Sequence, residues 1–174
     1  MNIYSLIQKQ VLDDTIKKIA IGVVIRNNDK YLVLKRTKTM YLEGYYEIPT
    51  GNLEFGETIE ECIYRLVNEK IGCVATNINR YLGHFDYISS DGKKARQYNF
   101  LVQVQDLKNI TLSEKHDNYK LADIYECENN LDISEETLFI LKTANITKKF
   151  NLMGEKRYEY WKRSKISGIK RNNK

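Results

Sequence analysis

Four stretches of the chain have the apolar pattern of β-strands. The run Ile19–Ile25 is apolar and rich in β-branched side chains, which indicates a buried strand. A polar turn at residues 27–29 separates it from Tyr31–Leu34, so these two segments are predicted to form a hairpin. Apolar and polar residues alternate along Tyr81–Tyr87 and Gln97–Val104, which predicts two further strands.

Two other segments have the spacing of helices that pack on a sheet. Residues Thr58–Lys70 carry a predicted helix, and Gly72 stands where such a helix is expected to stop. The apolar stripe of this helix, at every fourth position, is Ile59, Ile63, Val67 and Ile71. Asp132–Glu135 resembles a capping box and predicts a second helix to about Asn145. A charged loop at 114–118 leads into a short predicted strand at Tyr119–Ala122.

The bulk composition is that of one globular domain. The chain has 174 residues, of which 42% are hydrophobic and 29% are charged. The apolar run at 19–25 is too short to cross a bilayer, and residues 1–18 lack the apolar core of a secretory signal. The three cysteines are odd in number and have no C-x-x-C spacing, which argues against a disulfide framework or a zinc site. We therefore expect a cytoplasmic protein without a membrane partner.

Positive charge is concentrated at the end of the chain. The net charge is +5, but Lys148–Lys174 holds ten Lys and Arg against two Glu, so the remainder has a net charge of −3. This distribution predicts a domain at residues 1–150 and a basic tail at 151–174. Tyr158, Tyr160 and Trp161 lie among these cations, a composition that suits single-stranded nucleic acid, although a solubilising tail or a helix packed on the domain is the favoured interpretation.

The segment with chemical information runs from Gly51 to Cys73. Its matching residues are Gly51, Glu57, Arg65, Val67, Glu69 and Gly72, and their spacing resembles the Nudix box G-x5-E-x7-R-E-U-x-E-E-x-G-U. The preceding Tyr46–Gly51 resembles the usual entry to that box, and the resemblance extends over about Lys18–Leu141. It implies an α/β/α sandwich with a mixed, curled sheet. It also implies a hydrolase of a nucleoside diphosphate linked to another moiety, dependent on Mg²⁺ or Mn²⁺ and compatible with a homodimer.

Helical geometry explains why such a box carries carboxylates. Glutamates three and four positions apart project from one helix face, where they can hold a hard cation against a diphosphate. The cation neutralises phosphate charge and helps to activate water. The resemblance implies that Glu57 and Arg65 brace the loop against the helix. It further implies Gly51, Glu69 and Glu114 as metal ligands.

Two of the three carboxylate positions of the box have changed. The positions that correspond to helix ligands are Leu66, Glu69 and Lys70, so one glutamate remains and one charge is reversed. A tight metal site of the family type is therefore disfavoured. We expect Leu66 to extend the buried stripe of the helix.

Three interpretations of this change stay open. Metal chemistry could recruit carboxylates from the 114–117 loop, Lys70 could contact the diphosphate in place of a metal, or the domain could bind ligands without catalysis. His116 is a candidate general base, because GDP-mannose mannosyl hydrolases, a branch that also reads Arg-Leu at positions 65 and 66, use a histidine from the matching loop. Lys35 and Arg36, at a strand end, are candidate substrate-binding residues. His84 is expected to be an ordinary strand residue, and Lys93, Lys94 and Arg96 are expected to lie in a solvated basic turn.

Overall fold

The computed structural model describes Ile7, residues 15–89 and residues 91–146. The predicted basic tail at 151–174 and the domain boundary at residue 150 lie outside the described residues. Within the described ranges, no helix has the length and apolar character needed to span a membrane.

In the described chain from residue 18 onwards, four strands are followed by one helix, three strands and two helices. The strands are β1 (Lys18–Asn27), β2 (Lys30–Arg36), β3 (Tyr46–Glu47), β4 (Thr50–Asn52), β5 (Ala75–Ile88), β6 (Lys94–Val104) and β7 (His116–Ala122). The helices are α1 (Ile59–Ile71), α2 (Ile124–Asn129) and α3 (Glu135–Asn145). The hairpin β1–β2 and the helices α1 and α3 lie where the apolar pattern predicts them.

One mixed sheet organises these elements. Its main path runs β3-β2-β1-β6-β5, while β4 pairs with β1 and β7 pairs with β2. The long β1–β6 pairing is parallel, and the other pairings are antiparallel. Strand β4 runs beside β1, and the loop that follows β4 leads directly to the N-terminus of α1.

The two faces of the sheet bury different helices, as the alternation of β1 requires. Ile21, Val23 and Ile25 join the core that holds α1, whereas Val24 belongs to the core that holds α3. Strand β1 is covered on both faces, so it reads as a continuous apolar run. The predicted α/β/α sandwich with a mixed sheet is confirmed.

Three local predictions need correction. Strand β7 begins at His116 and not at Tyr119, because residues 116–118 pair with β2. The short helix α2 was not predicted, although Asp123 caps it through the amide of Glu126. Arg96, expected in a solvated basic turn, is 3% exposed and binds both carboxylate oxygens of Asp86 at 2.5 and 2.9 Å. A buried guanidinium needs such a partner, and the β5–β6 pairing supplies Asp86.

Candidate active site

Helix α1 begins and ends with strong local signals. The Thr58 hydroxyl accepts a hydrogen bond from the Glu61 amide at 3.2 Å, and the Glu61 carboxylate accepts one from the Thr58 amide at 2.8 Å. This reciprocal capping box satisfies amides that the first turn leaves unpaired. At the other end Gly72 adopts φ +66°, a left-handed conformation that suits glycine. The local sequence therefore fixes where α1 begins and where it ends.

A bidentate ion pair ties the loop before α1 to the helix. Arg65 Nε and Nη2 donate to the two oxygens of Glu57, each at 2.7 Å, and Nη2 also donates to the carbonyl of Asn52 at 3.0 Å. The hydrogen bonds from Arg65 lower the pKa of Glu57 to about 2. They also raise the pKa of Arg65. The pair thus stays charged and joins β4, the loop and the helix.

Glu69 stands one turn after Arg65 at the edge of this arrangement. Its carboxylate accepts a hydrogen bond from Arg65 Nη1 at 3.2 Å, and its side chain is 49% exposed. Arg65 therefore orients Glu69, while half of that side chain still faces solvent. This is the exposed carboxylate of the box.

Leu66 lies in the core and not in an open cleft. Its side chain is 1% exposed and joins the cluster beneath α1, as expected of a residue in the buried stripe. A Cβ placed on Gly51 would lie 2.3 Å from Leu66 Cδ2, so the leucine rests directly on the glycine backbone. The absence of a side chain at position 51 is what allows this approach.

This contact predicts that Gly51→Ala destabilises the fold. The new methyl group must displace Leu66 within a packed core, for which we expect a loss of about 1–3 kcal/mol in the free energy of unfolding. Urea denaturation of the single variant and of Gly51→Ala with Leu66→Val measures it. We expect the smaller valine to restore part of the loss, and a strictly additive double variant would contradict the contact.

Lys70 lies one turn beyond Leu66 on the same face of α1. It is 9% exposed, and within the described chain its Nζ forms no hydrogen bond or ion pair. Burial lowers the pKa of Lys70, and Lys115 lowers it further, whereas Glu47 and Glu69 act in the opposite direction. This cation therefore has no direct counter-ion among the described residues. The surface formed by Glu69, Lys70 and Lys115 is the candidate cleft.

A buried carboxylate that the sequence prediction missed lies nearby. Glu47 Oε1 is 2.9 Å from His116 Nε2, and Glu47 Oε2 accepts from Arg36 Nη2 at 2.6 Å. Burial favours a raised pKa for Glu47, but the hydrogen bonds from His116 and Arg36 outweigh it and lower the pKa. The three residues come from β3, β7 and β2, and pairing of Arg36 with His116 in the sheet aligns them. In the sequence, Glu47 is a single charged residue between the apolar Tyr46 and Ile48, and this position could have indicated a carboxylate that needs a partner.

His116 and Arg36 are thus more enclosed than expected. His116 is 5% exposed, and its second ring nitrogen lies 3.1 Å from Ser113 Oγ. Both ring nitrogens are engaged, so this geometry supports a positioning role for His116, and its catalytic role stays a prediction. Arg36 also donates to the Tyr41 carbonyl at 2.6 Å, which ties the loop after β2 to the site.

Two other predicted site residues, Lys35 and Glu114, do not take part in the contacts of Arg36, Glu47 and His116. Lys35 lies opposite Tyr46 in the β2–β3 pairing, and Glu114 is exposed. Neither side chain forms a hydrogen bond or ion pair within the described chain. Across the described residues, no three His, Cys, Asp or Glu side chains are arranged to hold a metal ion. His84 lies in β5, as expected of a strand residue, with Nδ1 2.7 Å from the Tyr81 hydroxyl.

Comparison with known proteins gives a family match and short local similarities. The family model described as NUDIX domain matches residues 16–138. The chain is 39% identical over 61 residues to the NAD-capped RNA hydrolase NudC of Vibrio atlanticus, a match that covers 35% of this chain and 22% of that protein. It is 29% identical over 55 residues to the 8-oxo-dGTP diphosphatase of Escherichia coli, covering 32% and 43% of the two chains. The chain therefore spans less than half the length of these relatives.

Solved structures resemble the whole fold at low sequence identity. A NUDIX hydrolase from Nitrosomonas europaea matches with a TM-score of 0.63 and 20% identity, covering 73% of this chain and 87% of that one. A C. elegans Ap4A hydrolase binary complex matches with a TM-score of 0.61 and 20% identity, covering 73% and 94%. At this identity the likeness concerns the fold.

Proposed function

We propose a function from the family of this chain. The chain belongs to the NUDIX domain family, whose model matches residues 16–138. On that premise the protein is a hydrolase of a nucleoside diphosphate linked to another moiety, such as a second nucleotide or a sugar. The relatives support this substrate class, because NAD-capped RNA, 8-oxo-dGTP and Ap4A each join a nucleoside to a chain of phosphates.

The observation that carries the proposal is the bidentate pair of Glu57 and Arg65. It holds the loop after β4 against α1 by two bonds of 2.7 Å, and the same guanidinium contacts Glu69 at 3.2 Å. Such an arrangement orients one solvent-facing carboxylate at a fixed place on a rigid helix.

The family's usual metal does not fit the residues that this chain offers. Nudix hydrolases generally use Mg²⁺ or Mn²⁺, and these ions prefer several carboxylate or carbonyl oxygens. Here one ligand position is a buried leucine and another is a lysine, which leaves Glu69 as the glutamate of the helix set. Substrate binding and proton transfer therefore fall to the chain's own side chains.

The chain's own groups can still bind and orient a substrate. Lys70 and Lys115 supply positive charge for phosphate oxygens, and the Glu69 carboxylate can accept a proton from a water molecule. Because Leu66 and Lys70 stand at the other two ligand positions of the helix, we expect slow turnover.

A second candidate function is supported by Lys70 itself. An ammonium at a ligand position can hold a diphosphate but cannot activate water as a metal does. A catalytically silent domain that binds a diphosphate ligand is therefore the alternative.

A hydrolysis screen separates the two functions. The wild type would be incubated with ADP-ribose, Ap4A, nucleotide sugars and nucleoside triphosphates, each with Mg²⁺, Mn²⁺ or excess EDTA, and products separated by chromatography. We expect slow cleavage between phosphates for at least one substrate, with a decrease of about 100-fold in Glu69→Gln if this carboxylate takes the proton.

The matched control for this screen is Glu60→Gln, because Glu60 is an exposed carboxylate on the same helix with no hydrogen bond in the described chain. Its turnover should equal that of the wild type. Ligand binding by thermal shift without turnover of any substrate would instead support the silent domain.

A further inference from the structure

The uncompensated cation in the cleft is Lys70. Its side chain is nine-tenths buried, and its Nζ lacks a hydrogen-bond or ion-pair partner among the described residues. Lys70 Nζ is not among the buried side-chain atoms that lack a hydrogen-bond partner, so the alkyl stem is buried while the ammonium reaches solvent. An accessible ammonium that is held in place by a buried stem and has no ion-pair partner in the described chain can bind an anion.

The carboxylates near Lys70 are already committed to other partners. Glu47 is held by Arg36 at 2.6 Å and by His116 at 2.9 Å. Glu69 is held by Arg65 at 3.2 Å. Both carboxylates act on Lys70 only at longer range. The positive charge of Lys70 therefore remains available to an anion.

A second cation is held next to Lys70 by the backbone. The Lys70 carbonyl accepts from the Ser113 amide at 3.2 Å, and the Ile71 carbonyl accepts from the Thr111 amide at 2.9 Å. These bonds fasten the segment before β7 to the end of α1. Lys115, two residues after Ser113, consequently lies close enough to lower the pKa of Lys70. Two like charges brought together in this way favour an anion with more than one negative charge.

We propose that Lys70, together with Lys115, is a built-in substitute for the divalent cation, so that this cleft binds a nucleoside diphosphate without metal. The packing of Leu66 on Gly51 closes the place beside Lys70 at which a second carboxylate would be needed for an ion. Charge-assisted hydrogen bonds from an ammonium to phosphate oxygens supply the binding energy. The inference rests on the ligand class of the proposed function, but not on turnover.

The test is calorimetric titration of the full chain with ADP in excess EDTA, compared with titration in Mg²⁺. We expect ADP to bind in EDTA with an affinity within about threefold of that in Mg²⁺, and Lys70→Met to weaken it roughly 10-fold or more. Lys70→Arg retains the charge and should recover part of the affinity. Adenosine, which lacks phosphates, should bind much more weakly than ADP.

Two controls make the result specific. Lys142→Met removes an exposed ammonium of α3 that pairs with Glu128 of α2. Helix α3 packs on the other face of the sheet, so this substitution should leave ADP affinity unchanged. Melting curves without ligand check folding, and Lys70→Gln serves in the same titration if the methionine variant does not fold.

Other outcomes would overturn the inference. ADP binding that requires Mg²⁺, or equal affinity of the Lys70→Met and wild-type proteins in EDTA, would exclude Lys70 as a metal substitute. The hydrolase proposal would survive either result, since the substrate screen tests turnover separately. Metal-free binding without hydrolysis in that screen would uphold the inference and reject the hydrolase.

Discussion

Replacing Leu66 and Lys70 together by glutamate is expected to destabilise the metal-free protein by about 3 kcal/mol or more and to create a divalent-metal site. Leu66 is 1% exposed, so a carboxylate there is buried without a partner. Lys70→Glu adds a second negative charge beside Glu69. Three carboxylates on one helix face then repel one another until a cation neutralises them.

Metal binding should restore the stability that the double substitution removes. A ligand that binds only the folded state stabilises it by about 2.7 kcal/mol at one hundred times its dissociation constant. We therefore expect Mn²⁺ to raise the melting temperature of the double variant markedly and that of the wild type little. Calorimetric titration with Mn²⁺ measures the gain in affinity directly.

The matched control is the double variant Leu66→Gln with Lys70→Gln. It disturbs the same packing and removes the same ammonium, but it supplies no negative charge. It should be destabilised without being rescued by Mn²⁺. Equal Mn²⁺ affinity of the glutamate variant and the wild type would contradict the assignment of positions 66 and 70 to the ligand face.

The second large effect is expected for the Glu57–Arg65 pair. Glu57→Gln keeps the shape of the side chain but removes the charge that accepts two bonds of 2.7 Å from Arg65. We expect a loss of about 2 kcal/mol in the free energy of unfolding at pH 7, after allowance for solvent screening of the pair. Urea denaturation measures it, and the binding of ADP should weaken as the loop is released.

The pH dependence of this loss has a definite sign. The pKa of Glu57 is about 2 in the folded protein, against an ordinary value of 4.5. Its contribution is therefore fully present above pH 4.5 and disappears as the pH falls through 2. The wild type and Glu57→Gln should differ most at neutral pH and converge towards pH 2.

Glu60→Gln is the control for this series. Glu60 is exposed in the first turn of α1 and has no hydrogen bond in the described chain. Its substitution should change stability by less than about 0.5 kcal/mol at either pH. A constant difference between wild type and Glu57→Gln from pH 7 to pH 2 would show that the ion pair is not the source of the effect.

Local signals were sufficient for the elements that build the box. The apolar spacing from Ile59 to Ile71, the Thr58 cap and the Gly72 stop all act within a few residues, and α1 has these limits. The contact between Glu57 and Arg65 was implied by the family resemblance, and the structure contains it as a bidentate ion pair. Leu66 was placed in the buried stripe by periodicity alone.

Contacts between distant strands could not be obtained in this way. Arg36, Glu47 and His116 are separated by up to 80 positions, and strand register brings their side chains together. Arg96 looked like a residue of an exposed turn until its pairing partner Asp86 was in place. In each case a buried charge is explained only by a partner from another strand.

The sequence by itself determined the family, the sandwich fold and the loss of two helix carboxylates, because spacing, capping and residue identity are local properties. Only the tertiary structure decided that Lys70 has no counter-ion among the described residues and that Glu47 already pairs with Arg36 and is hydrogen-bonded to His116. Burial and charge balance depend on which distant strands meet around a side chain, and no local pattern encodes that.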